Sequence, residues 1–321
     1  LKSAKTQTSE EEFYAFHNSI KQNTKLSDPS KQLKITGIHT DNIGITHIKA
    51  QQYFKGLKVY GAESFVHIGS KKDIFNGYIY DLADIITITP NISKAEVLRI
   101  VNTDLAIKTV IKELSVKQKE ILKYDTPLIN LIIYENKLAY EISIRPNFIQ
   151  EWKYFVDAQS GAIINMFNNT HSDGPTTATA YDLNNVLRTI DTYLETGSYI
   201  LLNASESMYN STSQEGVILT LNANNTSTAD LDYSTITSSN NTWSNKTAIS
   251  AHYNTTATYK YFYNTFGRNS INGQGGNILS FINIANEDGS SMGNAFWNGK
   301  AAFYGNGDSY FYALAGALDV I

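Results

Sequence analysis

The chain has 321 residues, 42% of them hydrophobic, with a net charge of −4 and no cysteine. That length exceeds one ordinary core and predicts two or three domains. The acidic balance excludes the basic stripe of a nucleic-acid binder, no apolar run reaches the roughly 18 residues of a membrane span, and disulfides and thiolate metal sites are ruled out.

The chain begins at Leu1 without a basic stretch and apolar signal core, which reads as a leader removed or omitted. Phe13, Phe16, His17 and Ile20 predict a short amphipathic helix over 11–21, with His17 a helix-face residue. From Lys34 to Leu82 the period becomes two, and Lys55-Gly56, Tyr60-Gly61 and Asn76-Gly77 read as turns of an antiparallel meander that carries His47 and His67. After Pro90 a second unit opens with the capping box Ser93-Lys94-Ala95-Glu96 and a helix whose apolar face is Val97, Ile100 and Val101. Strands follow at 128–134, 138–145 and 152–157, and Asp157 to Gly161 turns the chain into another at 162–168. The polar run 169–177 reads as a linker.

Beyond it a Thr-, Asn- and Ser-rich stretch suggests strands at 198–203, 207–209 and 217–221. A long helix is predicted over 244–267, capped by Ser244 or Asn245 and ended by Gly267. Ala248, Ala251, His252, Thr255, Tyr259, Phe262, Tyr263 and Phe266 share one of its faces, which makes His252 a packed residue. Asn272 to Gly276 precedes a strand and is a turn, not a phosphate loop, and Asn306 and Asp308 belong to a glycine-rich turn. The histidines are His17, His39, His47, His67, His171 and His252, no two of them three to five residues apart, so H-E-x-x-H is absent. Ala313 to Ile321 is apolar and uncapped, and reads as a chain cut inside a buried element.

The words Ala248-Ile249-Ser250-Ala251-His252-Tyr253, Asn294-Ala295-Phe296-Trp297-Asn298-Gly299, Tyr304-Gly305-Asn306-Gly307-Asp308 and Gly316-Ala317-Leu318-Asp319-Val320-Ile321 follow in an order that resembles thermolysin-like zinc metallopeptidases. Residues 46–63, with Gln51-Gln52 and Tyr60-Gly61-Ala62-Glu63, resemble the pro-region repeat of fungalysin- and thermolysin-like precursors, and the ending at 157–168 resembles their PepSY module. The resemblance implies an α+β chain. Two small pro-modules with antiparallel sheets, 1–88 and 89–171, would precede the β-rich amino-terminal part of a peptidase domain, 172–321, ending in a long helix and an edge-strand sheet.

It also implies a secreted zinc metalloendopeptidase precursor acting on peptide bonds, whose pro-region binds, inhibits and helps fold its own peptidase domain until cleavage near residue 172. Asn294 and Ala295 would hold the substrate main chain, with Trp297 beside the cleft. Asp319 would help bind calcium, given partners beyond Ile321, and Asp230 and Asp232 are expected to be solvated. The zinc helix would follow residue 321, so this chain is expected to bind no zinc, to contain no catalytic residue and to be inactive. Two alternatives stay open: a non-catalytic pro-segment-type inhibitor or binding module, and a surface adhesion protein reusing these modules.

Overall fold

The computed structural model describes residues 8–69, 73–85, 87–108, 113–122, 126–170 and 172–317. The chain divides into two compact units: Leu1–Asp104 with Pro127–Ile144 and Trp152–Phe167, and Leu105–Thr126 with Arg145–Glu151 and Asn168–Ile321. Helices and mostly antiparallel strands make it an α+β fold. Among the described residues no helix is long and apolar enough to cross a membrane.

In chain order the first elements are α1 (Ser9–Thr24), α2 (Pro29–Gln32), β1 (Leu33–Thr40), β2 (Thr46–Phe54), β3 (Leu57–Ile68) and β4 (Ile74–Gly77). Then come α3 (Lys94–Lys108), α4 (Glu113–Ile121), β5 (Leu128–Tyr134), β6 (Lys137–Ile144), β7 (Trp152–Asp157) and β8 (Ile163–Asn168). The two sheets expected from the sequence join among the described residues into one of order β1-β2-β3-β5-β6-β7-β8, with β4 on β3. The join is a parallel pairing at Val59 and Ile133.

The α1 helix starts earlier than expected because Thr8 forms a complete capping box with Glu11, its hydroxyl accepting the Glu11 amide at 3.3 Å and its amide donating back at 2.9 Å. Phe13 packs with Leu26, Leu33, Ile48, Ala50 and Val66 beneath it. The Ser93 box is only half made: Ser93 accepts the Glu96 amide, but the Glu96 carboxylate turns to Arg99 at 2.8 Å.

Two of the three expected turns in the meander lie inside strands. Tyr60-Gly61 belongs to β3, where the register jumps from Gln51↔Glu63 to Tyr53↔Lys58 and leaves a bulge. The buried Gln51 amide fills that gap, donating to the carbonyls of Val59 at 2.7 Å, Ala62 at 2.9 Å and Gln52 at 3.0 Å. Gln52 grips the main chain of Tyr80 through both ends of its side-chain amide, each at 2.9 Å. The Gln-Gln word therefore supplies hydrogen bonds that the broken ladder cannot. Asn76-Gly77 lies in β4, and Gly77 is required there: at φ +125° a Cβ would fall 2.1 Å from the Glu63 carbonyl oxygen.

The second unit adds to α4 the strands β9 (Ser172–Tyr181), β10 (Leu187–Glu195), β11 (Ser198–Ile200), β12 (Leu202–Asn203), β13 (Ile218–Asn222), β14 (Ser234–Thr235) and β15 (Thr237–Ser238). It continues through α5 (Lys246–Phe266), β16 (Ile278–Ile284), β17 (Ala295–Trp297) and β18 (Ala302–Gly305). One sheet runs β15-β11-β10-β9; the other runs β12-β13-β16-β18-β17, with β14 on β13.

The expected linker is largely β9. Its threonines favour an extended chain while Ala178 and Ala180 are too small to show a period-two pattern, and Pro175 is tolerated because β9 is an edge. The strand expected at 198–203 is broken at Leu201, and 207–209 is a turn.

Helix α5 is capped by Asn245, whose side chain accepts the Ala248 amide at 3.0 Å, and Gly267 ends it at φ +65°. Its predicted face is buried from Ala248 to Tyr259, but Phe262 and Phe266 are 44% and 64% exposed. Replacing Asn245 with alanine is expected to lower stability by about 1 kcal/mol, read as a urea midpoint shift without a change in slope.

Candidate functional site

The β17–β18 hairpin turns at Asn298-Gly299, where the Asn298 side chain accepts the amides of Lys300 at 3.1 Å and Ala301 at 3.0 Å. Ala295, Phe296 and Trp297 pair with Tyr304, Phe303 and Ala302, and β17 is the last strand of its sheet. Because the Gly305 amide donates to the Asn294 carbonyl at 3.0 Å, antiparallel alternation turns the main-chain groups of Ala295 and Trp297 toward the open edge. The Ala295 amide is held at 2.9 Å by the side chain of Asn294 itself.

The two faces of the hairpin differ. Phe296 is half-buried and stacks on Phe303 at 5.3 Å, which stacks on Phe281 at 5.1 Å. On the other face Trp297, 42% exposed, borders a cleft of about 530 Å³ that also has Thr255, Tyr259, Phe262 and Tyr304 in its lining. Burial raises the Tyr304 phenol's pKa, against hydrogen bonds from Ser280 and Thr255 that lower it. The cleft thus combines an open strand edge with an apolar wall, which suits an extended peptide that leaves one side chain in the wall.

The predicted site residues Asn294, Ala295 and Trp297 therefore lie together on this edge. Asp319 lies outside the described residues. Asp230 and Asp232 are exposed, and Asp308 closes a turn by accepting the amides of Tyr310 at 2.8 Å and Phe311 at 2.9 Å.

The histidines divide by surroundings. His252 is fully buried; its Nε2 donates to the Asp191 carbonyl at 2.8 Å, so its Nδ1 accepts from the Thr220 hydroxyl at 3.0 Å. Burial lowers its pKa to about 4. His17 is also buried, 2.8 Å from the Ser64 hydroxyl, and burial lowers it to about 4 as well.

Sequence spacing missed a third group, because strand register rather than helix spacing assembles it. His39 pairs across from His47 and His47 from His67; the Nδ1 atoms of His47 and His67 are 2.6 Å apart, and Asp41 takes the other nitrogen of His47 at 3.0 Å. Among the described residues no cluster of three or more His, Asp or Glu could hold a metal ion.

Residues 177–321 match the family described as Thermolysin metallopeptidase, catalytic domain. Residues 31–76 match the Fungalysin/Thermolysin Propeptide Motif, and residues 91–167 the Peptidase propeptide and YPEB domain. The three matches follow the order of modules in a thermolysin-like metallopeptidase precursor. Bacillolysin of Brevibacillus brevis is 31% identical over 289 residues, covering 86% of this chain and 50% of the relative. Bacillolysin of Bacillus amyloliquefaciens is 28% identical over 318 residues, 94% of this chain and 57% of the relative. Thermolysin of Bacillus sp. (strain EA1) is 26% identical over 339 residues, 97% of this chain and 58% of the relative. The chain spans about half the length of the curated relatives it matches. The family implies zinc and calcium.

Proposed function

We propose that the chain is the amino-terminal portion of a secreted zinc metalloendopeptidase precursor, in which 1–88 and 89–171 are pro-modules and 172–321 carries the substrate-binding edge of the peptidase. The observation that carries this reading is β17: an open edge beside an apolar cleft, in the segment that matches the catalytic domain. An extended peptide would add to β17 as a further strand, exchanging hydrogen bonds with the outward groups of Ala295 and Trp297. Asn294 would release the Ala295 amide to the peptide and bind its main chain in turn. Trp297 would flank the bound side chain. Zinc would be held by an H-E-x-x-H segment and calcium by partners of Asp319 that residues 1–321 do not include, and residues 1–321 alone would hydrolyse no peptide.

The test is the protein extended through its full coding sequence and supplied with zinc and calcium. It should cleave a quenched fluorescent peptide, and residues 1–321 alone should not. Replacing Asn294 with alanine in the extended protein should lower kcat/KM about tenfold, the worth of one main-chain hydrogen bond. An extended protein that leaves peptides intact after its pro-segment is removed would overturn the reading.

A further inference from the structure

Part of the segment that matches the pro-modules folds within the second unit. Residues 105–126 and 145–151 group there with the peptidase part, and their buried side-chain amides reach its main chain. Gln118, 1% exposed on α4, donates its side-chain amide to the carbonyls of Asn277 at 2.9 Å and Lys300 at 3.1 Å. Asn147, 3% exposed, donates to the Ser213 carbonyl at 2.9 Å, and Gln150, equally buried, to the Thr212 carbonyl at 3.4 Å. Asn147 also shapes its own loop by accepting the amides of Ile149 at 2.9 Å and Gln150 at 2.7 Å.

Apolar contacts surround these amides. Leu122, at the end of α4, and Ile149 are buried in one core with Val217, Leu219, Phe281 and Phe303, on the sheet face that also takes Phe296. Lys300 belongs to the turn of the β17–β18 hairpin and Asn277 immediately precedes β16, so Gln118 ties the hairpin turn to the strand beside it. Glu120 reinforces the tie through an ion pair with the Lys300 ammonium.

We infer that Gln118, Asn147 and Gln150 are the polar contact by which the pro-segment holds the peptidase part, and that these three amides, beside the apolar packing of Leu122 and Ile149, recognise its folded main chain. The inference rests on the reading of residues 1–171 as a pro-segment. A side-chain amide that donates to a carbonyl can do so whatever side chain that residue carries. The three amides therefore demand that β13, β16 and the β17–β18 hairpin be correctly assembled and tolerate changes in the side chains of Thr212 and Ser213, whose carbonyls alone they use. It also bears on the substrate edge from behind: the turn that holds Asn294 to Trp297 in register is braced by a residue outside the peptidase part.

The experiment uses the full chain with a protease recognition sequence inserted between Asn169 and Ser172, cut after folding. The two pieces should remain together on size exclusion. Each of Gln118→Ala, Asn147→Ala and Gln150→Ala should weaken their association about tenfold on dilution, the effect of leaving a buried carbonyl unpaired. Thr212→Ala and Ser213→Ala, on the receiving side, should leave it within about twofold.

Gln118→Glu in the uncut chain separates contact from folding: amide hydrogen exchange should quicken at Lys300, Ala301 and Ile278 and stay unchanged in α5. Pieces that part without any substitution, alanine variants that associate as tightly as the parent, or unchanged exchange at the hairpin would each overturn the inference. None of these readouts uses hydrolysis, so an extended protein without peptidase activity would sink the functional reading and leave this one standing.

Discussion

Replacing Gly305 with alanine is expected to be among the most damaging single changes in the second unit, costing about 3 kcal/mol, the upper part of the overpacking range. A Cβ there would lie 2.0 Å from the Met292 carbonyl oxygen, 2.8 Å from its carbon and 2.9 Å from the Asn294 carbonyl oxygen. All three are backbone atoms, which cannot rotate away as a side chain would. The β17–β18 pairing must open, and the loss should appear as a lower urea midpoint together with altered Trp297 fluorescence. Gly37 supplies the control, since no atom lies within 4 Å of its Cβ position and its φ is not positive. A Gly305→Ala midpoint equal to that of Gly37→Ala would refute the close approach.

Acid should destabilise the protein between about pH 6.5 and pH 4, above the range in which ordinary carboxylates titrate. His252 is neutral in the folded chain with a pKa lowered to about 4, whereas an unfolded histidine titrates near its usual value. In that interval the unfolded state binds more protons, so stability is complete above the unfolded value and is lost as pH falls through the folded one. The shift corresponds to about 3 kcal/mol for His252, and His17 adds in the same direction. Urea unfolding at half-unit pH steps should show the decline, and His252→Gln should be less stable at pH 7 yet lose less on acidification. Equal slopes for parent and variant would rule out His252 as the cause.

Much of this architecture was legible where one residue type had one job. The 3.6-residue spacing from Ala248 to Tyr259 located α5, and Asn245 and Gly267 bounded it. The strands expected at 128–134, 138–145 and 152–157 match β5, β6 and β7 within a residue of their ends. Legibility failed where tertiary pairing supplied the order. Tyr60-Gly61 reads as a turn and is a bulge, because Gln51 reaches across to satisfy it. Phe262 and Phe266 keep the helical period yet stay exposed, since periodicity reports a face and not what covers it. Helix α4 went unread because its few apolar positions are interrupted by Lys117, Lys119 and Glu120, and its burial comes from Gln118 and Leu122. In the candidate site, Asn294, Ala295 and Trp297 were singled out by family resemblance, and only the hydrogen-bond pattern of the hairpin showed which of their main-chain groups face outward.

The hydrogen bond from the Ala295 amide to its neighbour's side chain has a consequence for solubility. A strand edge that welcomes an extended peptide is equally a template for the edge of another molecule, the usual route by which sheets aggregate. Here one of the two outward donors, the Ala295 amide, is already engaged, and β17 is only three residues long. A second copy would have to displace the Asn294 side chain to gain a ladder too short to repay the loss. In the proposed function a longer peptide that also fills the apolar wall would have more to offer, so the same asparagine would screen incoming chains by how much else they bring.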